Sequence, residues 1–159
     1  HTIVANNAML AGHVTVADRA YVSGAVGVHQ FCRIGPLAMV GGQAHVVKDV
    51  PPFVTVDGKC TFIVGLNLVG LRRSGMSAED INQLKAAYRL IFRSGLRWTE
   101  VMEQLKVEFT AGPATQEFRC HHHHACTNHH GFDDLEPILH ARRQREVSGY
   151  TIVQQGNPA

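Results

Sequence analysis

The chain has 159 residues, of which 45% are hydrophobic and 18% are charged, and its formal net charge at pH 7 is +2. That length suits one domain or two small ones with a buried core, and no apolar run approaches the roughly 18 to 20 residues that a membrane span needs. The small net charge argues against a nucleic-acid-binding protein, and the irregular spacing of the four cysteines argues against a disulfide framework, so we expect a cytoplasmic protein.

From Val4 to Val46 an aliphatic residue stands at every sixth position, in an unbroken series of eight. A period of six fits neither the period of about 3.6 of an α-helix nor the period of about two of a flat strand. It is typical of hexapeptide-repeat solenoids, in which short parallel strands wind into a β-helix. The position two residues before each aliphatic is also compact or apolar, as the narrow corners of a three-sided coil require. The sequence therefore predicts a parallel β-helix over residues 1–50.

The hexads also predict which residues stack on one another. At three hexads per coil, residues 18 apart lie above one another at about the 4.8 Å spacing of paired strands. This register places Gln30 over Gly12 and Phe31 over His13. The chain begins at His1, partway through a hexad, so we expect earlier coils to be missing and an open parallel edge at this end.

The histidines of the repeat segment stand off its inward positions. We expect His13, His29 and His45 to face solvent or a neighbouring subunit. Gly12 precedes His13 and offers an unshielded backbone N–H beside an imidazole, a pair that suits the stabilisation of an oxyanion in acyl transfer. His45 has no such neighbour, and we interpret it as a surface residue.

The repeats end at Asp49-Val50-Pro51-Pro52, because proline cannot donate to a strand ladder. We predict an extended stretch over residues 53–64 that runs back along the wall of the β-helix and is interrupted by a turn at Asp57-Gly58. It belongs to a connection that we assign to residues 51–76.

A helical period begins after Ser77, which has Asp80 three residues further on, as in a capping box, and Gly95 is placed to end the helix. A second helix is predicted from Thr99 to about Phe109. We assign residues 77–118 to a helical domain and residues 119–159 to an irregular tail. The tail contains a tract of six histidines and two cysteines over residues 120–130, whose spacing fits no standard zinc finger and which we interpret as an adventitious metal-binding tract.

Several strings of the sequence resemble one protein family. They are VANNAMLAGHV at 4–14, VGVHQFC at 26–32, MVGG at 39–42, DVPPF at 49–53, GLNLVGLRRSG at 65–75 and AYRLIFRSG at 87–95. Over residues 1 to about 118 the chain resembles the C-terminal portion of the acyl-carrier-protein-dependent UDP-N-acetylglucosamine O-acyltransferases, the first enzymes of lipid A synthesis. The resemblance implies a homotrimer of left-handed β-helices, followed by a C-terminal α-helical domain, with active sites in the clefts between subunits. It also implies transfer of a 3-hydroxyacyl group from acyl carrier protein to the 3-hydroxyl of UDP-N-acetylglucosamine, without a cofactor or a metal ion.

The matched motifs imply roles for particular residues. The backbone N–H of Gly12 would stabilise the oxyanion, and His13 would bind substrate beside it. His29 and Gln30 would contact the nucleotide sugar or its product. In the string at 65–75, Asn67 and Arg73 would hold sugar or phosphate groups, for which the planar guanidinium of an arginine is well suited.

Gly42 matches the position that limits the length of the acyl chain in this family. A glycine leaves the acyl groove open, so the resemblance implies a longer acyl donor. Lys85, Arg89, Arg93 and Arg97 recur every four residues. They fit either a solvated helix face or the basic surface that meets the acidic acyl carrier protein in the family.

The sequence also departs from the family. The family's general base is a histidine in the hexad just upstream of the position of His1, so this sequence lacks it, and neither His13 nor His29 takes its place. Val69 stands where the family often has an acidic residue, and Cys60 where it often has histidine or proline. We therefore expect the chain as written to be an impaired or inactive enzyme.

Two alternatives stay open at this stage. The first is a non-catalytic fragment that forms trimers or binds a nucleotide sugar. The second is a zinc hydratase of the β-helical carbonic anhydrase type, which needs three imidazoles around one ion. His13 and His29 are 16 residues apart and do not share a coil position, which disfavours that type.

Overall fold

The computed structural model describes residues 1–59 and 61–108. Its first part is a parallel β-helix in which each hexad supplies one side of a three-sided coil. The strands are β1 (Ile3–Val4), β2 (Met9–Leu10), β3 (Thr15–Val16), β4 (Tyr21–Val22), β5 (Gly27–Val28), β6 (Arg33–Ile34), β7 (Met39–Val40) and β8 (His45–Val46). Each of the first five strands pairs in parallel with the strand 18 residues further on, as Val4 does with Val22 and Leu10 with Val28. The predicted register of the coils is therefore confirmed.

The corners of the coils have a repeated backbone conformation. The third residue after each of the first seven inward aliphatics has a φ between 53° and 66°; these residues are Asn7, His13, Arg19, Ala25, Phe31, Leu37 and Gln43. Side chains rarely adopt this left-handed region, and a ladder bond stabilises it here. The N–H of Ala25 donates to the Asn6 carbonyl of the coil before it at 3.0 Å, and the N–H of Gln43 donates to the Gly24 carbonyl at 3.0 Å.

The core of the β-helix is the column of inward aliphatics. Val22, Ile34, Val40 and Val46 are buried, together with the compact residues at the corners, Ala20, Ala38 and Ala44 among them. In the first coil the inward residues Val4 and Leu10 are exposed, because no described residue covers that end of the stack.

The segment after the prolines adds one more rung and then turns back. Strand β9 (Val54–Asp57) pairs in parallel with β7, and strand β10 (Phe62–Leu66) pairs antiparallel with β9, so the first sheet has the order β1-β4-β7-β9-β10. The predicted extended stretch therefore continues the sheet before it reverses. The turn contains Gly58 at φ 81°, whose N–H donates to the Asp57 carboxylate at 2.8 Å. Cys60 lies outside the described residues.

In the part of the chain that the structure describes, three helices follow, α1 (Leu68–Arg73), α2 (Ala78–Arg93) and α3 (Trp98–Glu108). The predicted cap of α2 is confirmed, since the Ser77 hydroxyl accepts from the Asp80 N–H at 3.1 Å and donates to the Asp80 carboxylate at 2.7 Å. Its apolar residues Ile81, Leu84, Tyr88 and Ile91 are buried, and Gly95 follows its end at φ 72°.

Helix α3 begins one residue before the predicted Thr99, and it buries Val101 and Leu105. The predictions for Phe109 and for the histidine tract of the tail fall outside the described residues. Within the described ranges, no helix combines the length and the hydropathy that a bilayer crossing requires.

Candidate functional site

One corner of the prism brings together the residues for which the sequence predicts acyl transfer. We number the corners in chain order, so that the first follows β1, β4 and β7, the second follows β2, β5 and β8, and the third follows β3 and β6. The corner in question is the second, which contains Gly12, His13, His29 and Gln30. The side chains of His13, His29 and Gln30 are all exposed there. The two coils are joined at this corner by the N–H of Phe31, which donates to the Gly12 carbonyl at 3.0 Å.

The ring of His13 does not stand alone at this corner. It stacks on the ring of Phe31, with the centroids 4.9 Å apart and the planes inclined by 4°. The predicted position of Phe31 over His13 is thus confirmed. No motif predicted a functional role for Phe31. The 18-residue register nevertheless predicted that it lies beside His13.

The backbone N–H of Gly12 is available to a ligand. Within the described residues no protein acceptor bonds it, and a Cβ added at Gly12 would meet no atom within 4 Å. The corner geometry explains this, because at Asn6, Gly12 and Gly24 the second residue after the inward aliphatic gives its carbonyl to the next coil, and its N–H bonds no described backbone acceptor. Gly24 and Gly42 hold equivalent positions, so what distinguishes Gly12 is the imidazole beside it.

His29 has one ring nitrogen near a backbone acceptor. Its Nδ1 lies 3.2 Å from the carbonyl oxygen of Gln30. Because a carbonyl oxygen can only accept, this hydrogen bond requires the proton on Nδ1. The Gln30 side chain lies in the column directly above Gly12 and is exposed.

Asn67 proves to be a structural residue as well as a candidate ligand. It is 9% exposed and caps helix α1, since its Oδ1 accepts from the Gly70 N–H at 3.0 Å. Its Nδ2 donates to the Leu37 carbonyl at 2.9 Å and so ties α1 to the third corner of the prism. Gly70 makes room for this amide, because a Cβ there would lie 2.3 Å from Nδ2. The role of Asn67 in substrate binding stays a prediction.

Arg73 and Arg72 end helix α1, and both are exposed. The same end of the helix is fastened to the β-helix by Arg19, whose Nη1 donates to the Ser74 carbonyl at 3.3 Å. Arg19 belongs to the third corner, where its Nε also lies 3.8 Å from the Asp18 carboxylate. The assignment of Arg73 to phosphate binding stays a prediction.

Gly42 lies at the first corner, stacked over Gly24. A Cβ at Gly42 would lie 3.6 Å from the Gly24 carbonyl oxygen, which is an ordinary contact. At the neighbouring Gly41 a Cβ would clash with the Asp57 carboxylate. Gly42 is therefore a position with room for a side chain, whereas a side chain at Gly41 requires Asp57 to move.

The candidate residues do not converge within one chain. Gly12, His13, His29 and Gln30 share the second corner, Gly42 lies at the first, and Asn67 and Arg73 lie beside the third. His45 lies apart from all of these, on the outer face of the sheet that contains β5 and β8, beside Gly27. Within residues 1–59 and 61–108, no three histidine, cysteine, aspartate or glutamate side chains are grouped so as to hold a metal ion.

Comparison with family models and with curated proteins shows which known proteins this chain is similar to. A family model described as UDP-N-acetylglucosamine O-acyltransferase, domain 2, matches residues 49–123. A curated acyl-(acyl-carrier-protein)–UDP-N-acetylglucosamine O-acyltransferase from Synechocystis sp. is 49% identical over 118 residues, which are 74% of this chain and 42% of that protein. One from Alkalilimnicola ehrlichii is 52% identical over 103 residues, 65% of this chain and 40% of that protein. The chain thus spans less than half the length of these relatives.

Solved structures agree with the sequence relatives. The Arabidopsis UDP-N-acetylglucosamine acyltransferase superposes with a TM-score of 0.77 at 39% identity, over 82% of this chain and 48% of that one. The enzyme from Campylobacter jejuni gives 0.71 at 32% identity, over 82% of this chain and 49% of that one. The predicted left-handed β-helix with helices after it is thereby confirmed. In sequence and in fold, the matched part of this chain is similar to the UDP-N-acetylglucosamine O-acyltransferases.

Proposed function

We propose that this chain serves the transfer of a 3-hydroxyacyl group from acyl carrier protein to the 3-hydroxyl of UDP-N-acetylglucosamine, the first step of lipid A synthesis. The relatives carry the names of that donor and that acceptor. The observation that supports the proposal most directly is the exposed second corner. There the Gly12 N–H, which bonds no acceptor among the described residues, stands beside the imidazole of His13.

The chemistry fits a backbone donor at Gly12. The sugar hydroxyl attacks the thioester carbonyl, a C–O bond forms, and negative charge develops on the carbonyl oxygen. When the intermediate collapses, the C–S bond breaks and the pantetheine thiolate leaves with the proton that the hydroxyl lost. A preorganised N–H directed at the oxyanion is worth roughly 10²–10³ in rate. His13, His29 and Gln30 would hold the acceptor sugar next to that N–H.

Proton removal from the sugar hydroxyl is the step that these residues do not supply. A positioned general base contributes about 10²–10⁴ in rate. The family resemblance puts that histidine just upstream of the position of His1, and we give the role to neither His13 nor His29. The chain as written is therefore proposed to bind the nucleotide sugar and to turn it over slowly or not at all.

A homotrimer would unite the three corners. Gly42, the second-corner residues and the Asn67–Arg73 segment lie on different edges of one prism, so a neighbouring subunit has to supply part of each site. The outward residues of the first sheet support association, because Ile3, Tyr21 and Met39 form an exposed apolar column in register. A second copy packed on that column would remove it from water.

The proposed surface for acyl carrier protein is the basic side of α2. Arg89 and Arg93 are exposed on it, and Lys85 is half-buried with its ammonium 3.5 Å from the Asn82 side-chain oxygen. Arg97 lies beyond the end of α2, and its guanidinium pairs with Glu100 at 3.0 Å. The proposal therefore assigns the acidic partner to Arg89 and Arg93.

The test separates binding from turnover. Titration of the chain with UDP-N-acetylglucosamine and with its 3-O-(3-hydroxyacyl) product measures binding, and an assay with acyl carrier protein measures turnover. A chimera carries the upstream coils of the Synechocystis relative, joined in hexad register before His1. Its control has the histidine of the last upstream hexad replaced by alanine.

We expect the chain alone to bind the product, the chimera to turn over, and the control chimera to lose about 10²–10⁴ of that rate. Full turnover by the chain alone would contradict our assignment of the base. If neither the chain nor the chimera binds the nucleotide sugar, the proposed function is wrong.

A further inference from the structure

Phe31 contacts both of the residues that the proposed reaction needs at the second corner. Its backbone N–H donates to the Gly12 carbonyl at 3.0 Å, and its ring lies parallel to the His13 ring at 4.9 Å. One residue of the next coil thus holds the peptide that carries the candidate oxyanion donor and also holds the neighbouring imidazole.

The fold itself does not need an aromatic side chain at this position. Phe31 is 48% exposed, so its ring contributes little to the core. The equivalent corner positions of other hexads, with φ near the same value, are occupied by Asn7, Ala25 and Gln43. Small and polar side chains therefore satisfy the corner equally well, and the ring of Phe31 calls for an explanation beyond folding.

We infer that Phe31 is a positioning residue, which fixes the imidazole of His13 beside the Gly12 N–H in the orientation that meets the substrate. The inference rests on the proposed function. An exposed histidine samples several rotamers, and ordering it on binding costs affinity. A ring stacked on one face restricts the imidazole before the ligand arrives.

Four variants test whether Phe31 acts through His13. Phe31→Leu removes the ring and keeps an apolar side chain, and Phe31→Tyr keeps the ring as the matched control. His13→Ala and the double variant complete a double-mutant cycle. The probe is UDP-3-O-(3-hydroxyacyl)-N-acetylglucosamine, titrated calorimetrically into each chain, and the free energy of unfolding of each variant is measured alongside.

We expect Phe31→Leu to weaken binding of the probe about two- to tenfold, and Phe31→Tyr to bind like the parent chain. In the His13→Ala background, Phe31→Leu should have no further effect. An equal loss with and without His13 would overturn the inference, because Phe31 would then contact the ligand or support the fold directly.

A second measurement holds even if the proposed function fails. The ring current of Phe31 should move the imidazole proton resonances of His13 upfield, and Phe31→Leu should return them toward the values of a free histidine, with no ligand present. Unchanged resonances would overturn the inference. Failure of the parent chain to bind the probe, with the ring-current shift present, would count against the proposed function and leave the stack established.

Discussion

His13 and Phe31 are 18 residues apart in the chain, and their rings stack with centroids 4.9 Å apart and planes 4° apart. The pair shows in side chains what the strand register shows in the backbone, namely that one coil takes three hexads. It also links the scaffold to the site, since the same step along the chain that pairs Val4 with Val22 places an aromatic ring against a candidate substrate ligand.

Gly12→Pro tests the backbone donor without disturbing the ladder. The Gly12 N–H bonds no described acceptor, and Pro36 occupies the equivalent corner position of the third corner. We expect the proline variant of the active chimera to lose about 10²–10³ in kcat at little cost in stability. Gly12→Ala keeps the N–H, places its Cβ in open space and should retain most of the rate. Similar rates for the proline and alanine variants would contradict the role of this N–H.

Gly42→Met tests the limit on acyl-chain length. The position accepts a Cβ at 3.6 Å from the Gly24 carbonyl, so the variant should fold. If Gly42 faces the acyl groove, the methionine fills its far end, and the preferred donor in a chimera assay becomes shorter. Gln43→Met, one residue along the same exposed corner, serves as the control. An unchanged preference among donors would refute the role of Gly42.

Asn67→Ala should destabilise the attachment of α1. The change removes the N-cap bond to Gly70 and leaves the Leu37 carbonyl without its donor. We expect the free energy of unfolding in urea to fall by about 1–3 kcal/mol. Asn67→Ser can keep the cap and should cost less. A fully stable alanine variant would mean that these two hydrogen bonds contribute nothing to the fold.

The buried thiol of Cys32 should make the fold less stable at alkaline pH. The thiol lies on an inward position and is 5% exposed, and burial, with a smaller effect of the Asp49 charge, raises its pKa to about 11. The pKa of a thiol in the unfolded chain is about 8.5, so the folded state holds the proton more tightly. The folded state is therefore stabilised below about pH 8.5, and this stabilisation is lost as the pH rises through the pKa of the folded state.

Urea unfolding from about pH 8 to about pH 11 should therefore show a steeper fall for the parent chain than for Cys32→Ala, by up to about 2–3 kcal/mol. The comparison of slopes removes the constant loss of packing in the alanine variant. Parallel slopes would show that Cys32 does not titrate differently in the folded state.

Charge reversal at Arg89 and Arg93 tests the surface for acyl carrier protein. Both guanidiniums are exposed on α2, so their replacement by glutamate should leave the fold intact and raise the KM for carrier-linked donor several-fold in the chimera. The effect should weaken as salt is added, because exposed charges are screened. Arg97→Gln, which alters the pair with Glu100 outside α2, should leave this KM unchanged. An unaltered KM in the double variant would favour a merely solvated helix face.

Much of the fold follows from the sequence because the six-residue period is repeated eight times. In each repeat the aliphatic residue points into the core of the coil. The N-cap at Ser77 and the apolar face of α2 follow from similarly local rules. Helix α1 does not, since it has six residues and depends on a long-range bond from Asn67 to Leu37 that no local pattern encodes. The reversal of β10 along β9 likewise depends on which sheet edge is free.

The site is predicted less completely than the fold. Register placed His13 under Phe31, and the neighbouring pair of Gly12 and His13 could be found from the motif. The sequence could not show that the Gly12 N–H lies outside the ladder, because that follows from the φ of the corner. It could not show either that Gly42 and Arg73 lie on other edges of the prism.

The N–H of Gly12 lies outside the hydrogen-bond ladder, and this has a consequence for how such a scaffold changes its chemistry. Where the second residue after an inward aliphatic is not proline, as at Gly12, its N–H bonds no described backbone acceptor, so residues around it can be exchanged without weakening the stack of coils. Stability resides in the inward column, and reactivity resides in the outward edges. New specificities can therefore arise by altering a few edge residues while the interior stays the same.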